Sequence, residues 1–410
     1  MSNHLPPLWR DPVLCFLLAA GSLTVMAGAA IAPILPELIE HLNLSREWAG
    51  SLASAHYLTL ALFSPILGIL ADRYGQLRLL ILCLLGYAVA GIAGAWLPNY
   101  WTLLLDRGLL GLTSGGIAAA SLGLLSRRYT GDARHQAISY AATIITLANI
   151  VYPLMAVGLG QFNWRFAFGL YGFSAVLAGL ALVWLIPLAK LSSAPTQTDA
   201  ALHLQPGELL KSAACLRLFV SLTLISAIVY GSIIYLPIYL KTVLHSDLVW
   251  NGVILAVQAV GAAVSSGVLI GPLTRRLGSL QVAALSLGVM ALFLALFPHL
   301  TQLWLLMLVS SLFGMTFGLV TPSLYNVLAN LAPPHLQSSI LATGIGSGFL
   351  GQFVSPLGLG PIWHNAGLTT VFYSCAVAAI AVGLGLQVPL KPPSVLPVAP
   401  SGPPKTDDLR

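Results

Sequence analysis

Along most of the chain, apolar residues come in runs of about 20, too long for a soluble strand and too uniform for the one-sided stripe of a soluble amphipathic helix. A helix rises about 1.5 Å per residue, so such a run crosses the hydrocarbon core of a bilayer. Gly, Pro and short charged loops punctuate the runs. The pattern predicts twelve transmembrane helices, near 12–38, 46–70, 77–97, 101–126, 137–160 and 165–188, then 216–241, 248–272, 279–298, 301–329, 337–361 and 366–388. The expected fold class is therefore all-α integral membrane, in two six-helix halves at 1–190 and 216–390. Between them, 191–215 reads as a cytoplasmic linker, with its most polar stretch at Leu191 to Gln205, and 391–410 reads as a disordered cytoplasmic tail. The first run, from Pro12 to Leu35, has no convincing cleavage site, so the first helix is expected to stay as an anchor.

Composition sharpens this reading. Hydrophobic residues make up 57% of the 410 and charged residues 7%, against roughly 25% charged in a soluble domain. So few charges cannot surface a water-soluble fold. The net charge of +6 does not indicate nucleic acid, because the basic residues lie in short loops. With both termini cytoplasmic, fourteen basic residues fall on the inner side and three, Arg46, Arg165 and Lys241, on the outer side, as the positive-inside rule requires. Cys15, Cys83, Cys215 and Cys375 lie in or beside apolar runs without metal-ligand spacing, and read as small buried hydrophobes.

The two halves match at an offset of 203 residues, which pairs Gly68, Arg73 and Gly75 with Gly271, Arg276 and Gly278, Gly111 and Gly115 with Gly314 and Gly318, and Pro153 with Pro356. Their order marks a duplicated unit, and duplicated transporter halves place a substrate site between them near the midplane.

The second predicted helix ends in GILADRYGQLRLL, Gly68 to Leu80. This resembles the loop signature of the major facilitator superfamily, commonly written GxLaDRxGrrxxl, with Gly68, Asp72, Arg73, Gly75 and Arg78 at its positions. Gly68 reads as a point of close helix approach, and Asp72 as a partner for basic residues or a helix N-terminus. The resemblance implies that these five residues latch the cytoplasmic side in an outward-facing state. The second copy, GPLTRRLG, has Arg275 in place of Asp72, so a latch would be asymmetric.

LDRGLLGLTSGG in the fourth run resembles the family's RxxxGxG-like motif and places Arg107 inside an apolar helix. A charge there must be paired or face a wet cavity. Asp106 is its neighbour, but adjacent helical positions point about 100° apart, which does not guarantee a pair. Arg107 and Asp106, with His56, which titrates near neutral pH, are the candidates for proton coupling. The fifth run, ANIVYPLMAVGLGQ, departs from the family's antiporter motif, because Tyr152 stands where a Gly would precede Pro153. Asn163, Trp164 and Arg165, and APILPEL from Ala32 to Leu38, resemble the twelve-span drug:proton antiporter group.

Asn149, Tyr152, Tyr230, Tyr235, Gln258 and Gln352 are the conspicuous polar groups deep in the runs. Taken singly, such groups are helix-helix glue worth about 0.6 kcal/mol. As a set they are the candidates for a substrate cavity, because the family layout turns several of these helices inward. A weakly polar, aromatic pocket suits amphipathic or cationic organic molecules, and Arg107 could instead receive an organic anion.

The leading expectation is proton-coupled export of hydrophobic or amphipathic small molecules by alternating access, from a bacterial plasma membrane. The alternatives are a uniporter or symporter importing a small metabolite or organic anion, or a non-transporting receptor. The expected partners are protons, a small-molecule substrate and the lipid bilayer, with no nucleic acid, and the family expectation is a monomer. No nucleophile elbow, P-loop or zinc spacing is present, so no enzyme, cofactor or metal site is expected.

Overall fold

A computed structural model describes residues 10–129, 131–185, 212–331 and 337–388. Eleven helices are long and apolar enough to cross a membrane, and no strand occurs among the described residues. The chain begins with α1 (Pro12–Ala29), a 3-10 turn over Ala32–Ile34 and α2 (Leu35–His41), which together form the first span. Next come α3 (Ala49–Tyr74), α4 (Gln76–Ala93), α5 (Tyr100–Arg128) and α6 (Gly131–Gly160). The sixth span opens with a 3-10 run at Trp164–Gly172, capped by the Asn163 side chain, and continues into α7 (Phe173–Leu180).

After the segment 186–211 come α8 (Ala213–Thr242), α9 (Leu248–Val264), α10 (Ile270–Leu277), α11 (Ser279–Leu296), α12 (Leu303–Leu331) and α13 (Gln337–Gln387). α8 starts earlier than expected, because the Ser212 side chain accepts a hydrogen bond from the Cys215 N–H and caps it. Most of the expected linker, 191–211, and the expected tail lie outside the described residues. The last two predicted helices are continuous except at Gly367, whose φ of 83° interrupts the helical backbone.

Large apolar side chains such as Leu105 (72% exposed), Val89 and Leu82 cover the outer surface. In water this would be an aggregation surface, whereas against lipid it is the required one. Three cysteines are buried as expected, but Cys15 lies on the exposed side of α1.

The packing repeats at the offset seen in the sequence. α5 packs on α1, α3 and α4, and α1 on α6; in the second set α12 packs on α8, α9 and α11, and α8 on α13. Glycines make the closest of these approaches. A Cβ at Gly111 would sit 2.1 Å from the His56 carbonyl oxygen, and one at Gly314 would sit 2.0 Å from the Gln258 carbonyl oxygen. Gly75 and Gly278 both take positive φ, 98° and 83°, where α3 turns into α4 and α10 into α11. The two sets meet where α3 packs on α13 and α6 on α9.

One end of the molecule carries Arg73, Arg127, Arg128, Arg275 and Arg276, all exposed. At this basic end Asp11 ties the start of α1 to the end of α5. It accepts from the Val13 N–H at 2.9 Å, from Arg128 Nε at 3.0 Å and from the Tyr129 hydroxyl at 2.6 Å. Partial burial pushes the Asp11 carboxyl up, but these bonds together hold it below the usual carboxylate range.

Candidate functional site

Between the two helix sets lies a cavity of about 300 Å³, walled by parts of α1, α3, α6, α8, α9 and α12. Its aromatic surface comes from Tyr57, Tyr230, Phe313 and Phe317, and its amides from Asn149 and Gln258. Helix irregularities shape the wall. Pro153 and Pro322 sit inside α6 and α12, and α9 passes into α10 through a π-helical turn at Ser265–Leu269. Each frees backbone groups that a regular helix would bond, a feature common beside functional cavities.

The polar groups on the wall differ in what they have left to offer. The Tyr230 hydroxyl donates to the Ala53 carbonyl across the two sets at 2.8 Å. Asn149 Nδ2 donates to the Ile145 carbonyl of its own helix at 3.0 Å. Gln258 Nε2 has no hydrogen-bond partner. The Tyr57 ring stacks on Phe349 at 5.8 Å and meets Tyr230 edge-on at 5.3 Å.

Of the six residues singled out as cavity candidates, Asn149, Tyr230 and Gln258 line this space, and the other three do not. The Tyr152 hydroxyl is 2.7 Å from Ser22 Oγ, inside the first set. Tyr235 is fully buried against the edge of Trp363 at 5.7 Å. Gln352 is half-buried on α13 away from the lining. Tyr57, Phe313 and Phe317 gave no sequence signal, because an aromatic residue in an apolar run reads equally well as facing lipid, core or cavity.

His56 is fully buried on α3, and neither ring nitrogen has a hydrogen-bond partner. Its ring lies 3.9 Å from that of Tyr57. A Cβ added at Gly28 would come within 2.8 Å of the Tyr57 hydroxyl and 3.2 Å of His56 Cε1. Gly28 and Tyr57 both line the cavity, so the imidazole sits one layer behind the wall.

Arg107 and Asp106 are buried away from the cavity, with 1% and 6% of their side chains exposed, and they pair directly at 2.7 Å. The angular separation of adjacent positions does not prevent this, because the long arginine chain turns back on its neighbour. Arg107 Nη1 donates to the Tyr171 hydroxyl at 3.1 Å, which donates to the Ala27 carbonyl at 3.1 Å. The guanidinium also lies over the rings of Phe168 and Tyr171 at 5.4 and 5.3 Å, a favourable setting for a buried cation. Asp106 and Arg107 thus form a buried cluster inside the first helix set in which Arg107 Nε is left without a partner, and neither residue reaches His56 by a hydrogen bond.

The loop signature sits at the basic end. Asp72 pairs with Arg127 at 2.8 Å and accepts from Gln76 Nε2 at 3.2 Å, both within the first set. Arg73 lies over the Tyr74 ring at 5.7 Å, and Arg78 is exposed. Gly68 does not make the close approach its position suggested, since an added Cβ would meet only Ala119 Cβ, at an ordinary 3.9 Å. No helix approaches closely at this point, so the glycine goes unused.

The far end is tightly closed. Lys241 of α8 bridges Glu37 and Glu40 of α2, each at 2.6 Å. Asn251 Nδ2 donates to the Pro33 carbonyl at 2.9 Å. A Cβ at Gly360 would come 2.0 Å from the Glu47 carbonyl oxygen, and one at Gly50 would lie 2.7 Å from Pro356 Cβ. These cross-contacts involve the far-end halves of α3, α9 and α13, so the cavity is sealed there and extends toward the basic end. No cluster of metal-ligating side chains occurs among the described residues.

The chain resembles known transporters along nearly its whole length. It is 24% identical over 371 residues to the multi-drug resistance efflux pump PmrA of Streptococcus pneumoniae, covering 86% of this chain and 90% of that one. It is 27% identical over 382 residues to the multidrug resistance protein MdtG of Citrobacter koseri, covering 90% of each. In three dimensions it superposes on a bacterial homologue of the human lysosomal transporter Spinster, in an inward-facing and occupied conformation, with a TM-score of 0.71 and 15% identity over 93% of this chain and 95% of that one. With the Major Facilitator Superfamily model matching residues 17–356 and 252–406, and with a cavity between two repeating helix sets, the chain belongs to the Major Facilitator Superfamily, a multi-span membrane transporter of small molecules.

Proposed function

We propose that this protein exports hydrophobic or amphipathic small molecules in exchange for protons, by alternating access of the central cavity. The observation that carries the proposal is the aromatic, weakly polar cavity between the two helix sets, sealed at one end only. An exporter must recognise apolar molecules without many directed hydrogen bonds, and such a wall does so through contact area. The multidrug efflux names of PmrA and MdtG support the same reading.

Counting the break at Gly367 as a turn would make twelve crossings, six in each half, and would put the two ends of the described chain on one side. The positive-inside rule makes the basic end cytoplasmic. The state described is then inward-facing, and the pairing of Asp72 with Arg127 within one half is that of a latch not engaged across the halves. In the outward-facing state the cluster of Gly68, Asp72, Arg73, Gly75 and Arg78 would close the cytoplasmic side.

Geometry favours His56 over Asp106 as the proton carrier. Protonating Asp106 breaks its pair with Arg107 and leaves a buried cation unpartnered. Taking up a proton at a His56 nitrogen also makes a buried cation, but one that breaks no existing ion pair and lies one layer behind the cavity wall at Tyr57 and Gly28. The test is accumulation of fluorescent lipophilic compounds in efflux-deficient cells expressing the protein, with and without a protonophore. Accumulation should fall, and the protonophore should restore it. His56→Gln should abolish the protonophore-sensitive part. No change across the panel would reject export and turn attention to import, while intact proton-driven export by His56→Gln would remove the histidine from the coupling step.

A further inference from the structure

The cavity wall carries no charged side chain, as no Asp, Glu, Lys, Arg or His lies among the residues that line it. Asp106 is the one buried carboxylate among the described residues, and it is committed to Arg107 at 2.7 Å outside the cavity. The other acids near membrane depth, Glu37 and Glu40, are engaged by Lys241 at the sealed end. A cation drawn into this space would meet no counter-charge. It would first have to pass an entrance end where exposed Arg73, Arg127, Arg134, Arg275 and Arg276 outnumber exposed Asp72, and a field of that sign repels it.

An anion fares no better at the centre. Arg107 is the one buried Arg or Lys among the described residues; its two Nη groups are occupied by Tyr171 and Asp106, and its unpartnered Nε lies outside the cavity lining. The aromatic rings offer cations some attraction, but a charge moved out of water needs a partner charge or a full set of hydrogen bonds. The wall has few polar groups to give. Tyr230 and Asn149 Nδ2 already serve backbone carbonyls. The hydroxyls of Tyr57 and Thr321 and the amide of Gln258 remain as donors.

Building on the export reading above, we infer that the cavity selects uncharged, planar, apolar molecules that carry a hydrogen-bond acceptor, and discriminates against organic cations of the same shape. The rings of Tyr57, Tyr230, Phe313 and Phe317 supply the faces against which a fused aromatic frame lies. A carbonyl or ring oxygen on that frame accepts from Tyr57 or Gln258. Specificity then arises from the missing counter-charge as much as from any contact made, because discrimination is a difference between two binding free energies.

Two dyes with one fused phenoxazine frame isolate the charge. Nile red is neutral and carries a carbonyl acceptor, and Nile blue is a cation with an amino group in its place. Efflux-deficient cells expressing the full chain should export Nile red in a protonophore-sensitive way, with export of Nile blue at least about tenfold weaker, because its charge is buried without a partner. Equal export of both dyes would overturn the charge selectivity and leave the export reading standing. If neither dye is exported, the export reading fails, and fluorescence titration of the purified protein decides the selectivity. A dissociation constant at least about tenfold lower for Nile red upholds it, and equal or absent binding overturns it. Gln258→Glu supplies the missing carboxylate and should shift the ratio of the two dyes toward Nile blue. Asn149→Asp, elsewhere on the lining, makes the same test if Gln258→Glu does not accumulate in the membrane. An unchanged ratio in a folded variant overturns the inference.

Discussion

Arg107 shows how one residue can be conspicuous in a sequence while its surroundings stay open. A charge in the middle of an apolar run is costly and demands a partner or water, which made the residue stand out. Only the fold could choose between the two, and it chose partners: Asp106, the Tyr171 hydroxyl and two ring faces. Removing one half of such a buried pair costs about 3–5 kcal/mol, because the other half remains charged in a dry site. Asp106→Asn should therefore lower thermal stability markedly in detergent. Replacing both residues together, Asp106→Asn with Arg107→Met, should recover most of the loss. A single variant as stable as the parent would show that the pair contributes nothing to the fold. His56 is the converse case, since its type was visible in the sequence but its lack of any partner was not.

At the scale of helices, glycine placement carries the argument. Gly111 and Gly314 hold their positions because a side chain there would run into the backbone of the crossing helix, at 2.1 and 2.0 Å. Gly111→Ala should force α3 and α5 apart at a cost of about 1–3 kcal/mol, the usual range for overpacking. Gly21→Ala in α1 is the matched control, since nothing lies within 4 Å of its added Cβ, and it should be neutral or stabilising by up to about 1 kcal/mol through helix propensity. Melting temperatures of the two variants measure the contrast. Equal behaviour would show that the crossing is looser than its geometry. Gly68 carries a repeated position in the sequence yet touches little here, so a repeat marks where a contact can form without saying in which state it does.

In the proposed inward-facing state the cavity is closed at the far end by the contacts around Lys241 and Gly360 and opens toward the basic end. This arrangement predicts one-sided access. In a background with the native cysteines replaced, Ser266→Cys on the cavity wall should react with a membrane-impermeant maleimide in inside-out vesicles and be protected in right-side-out ones. The reverse pattern would invert the assigned orientation or state. Lys241→Ala removes the bridge to Glu37 and Glu40 that ties α8 to α2. It should raise labelling of the same cysteine from the outside by weakening closure of the far end.

The positions of the spans, the internal repeat, the superfamily and the presence of an awkward charge at Arg107 were all legible in the amino-acid order. Each depends on local quantities: run length against bilayer thickness, glycine at fixed spacing, and charge against an apolar background. What faces the cavity was not legible. Tyr152 and Tyr235 point into their own helix sets while Tyr57, Phe313 and Phe317 form the wall, and in an all-apolar helix no periodicity separates a cavity face from a lipid face. That choice is made by the rotation of each helix when it packs, which depends on small residues and on neighbours from the other half of the chain. The absence of charge from the cavity, on which the selectivity rests, follows from the same rotations, because they turn the part of α5 that carries Asp106 and Arg107 away from the cavity, and the arginine chain then folds back onto its neighbour.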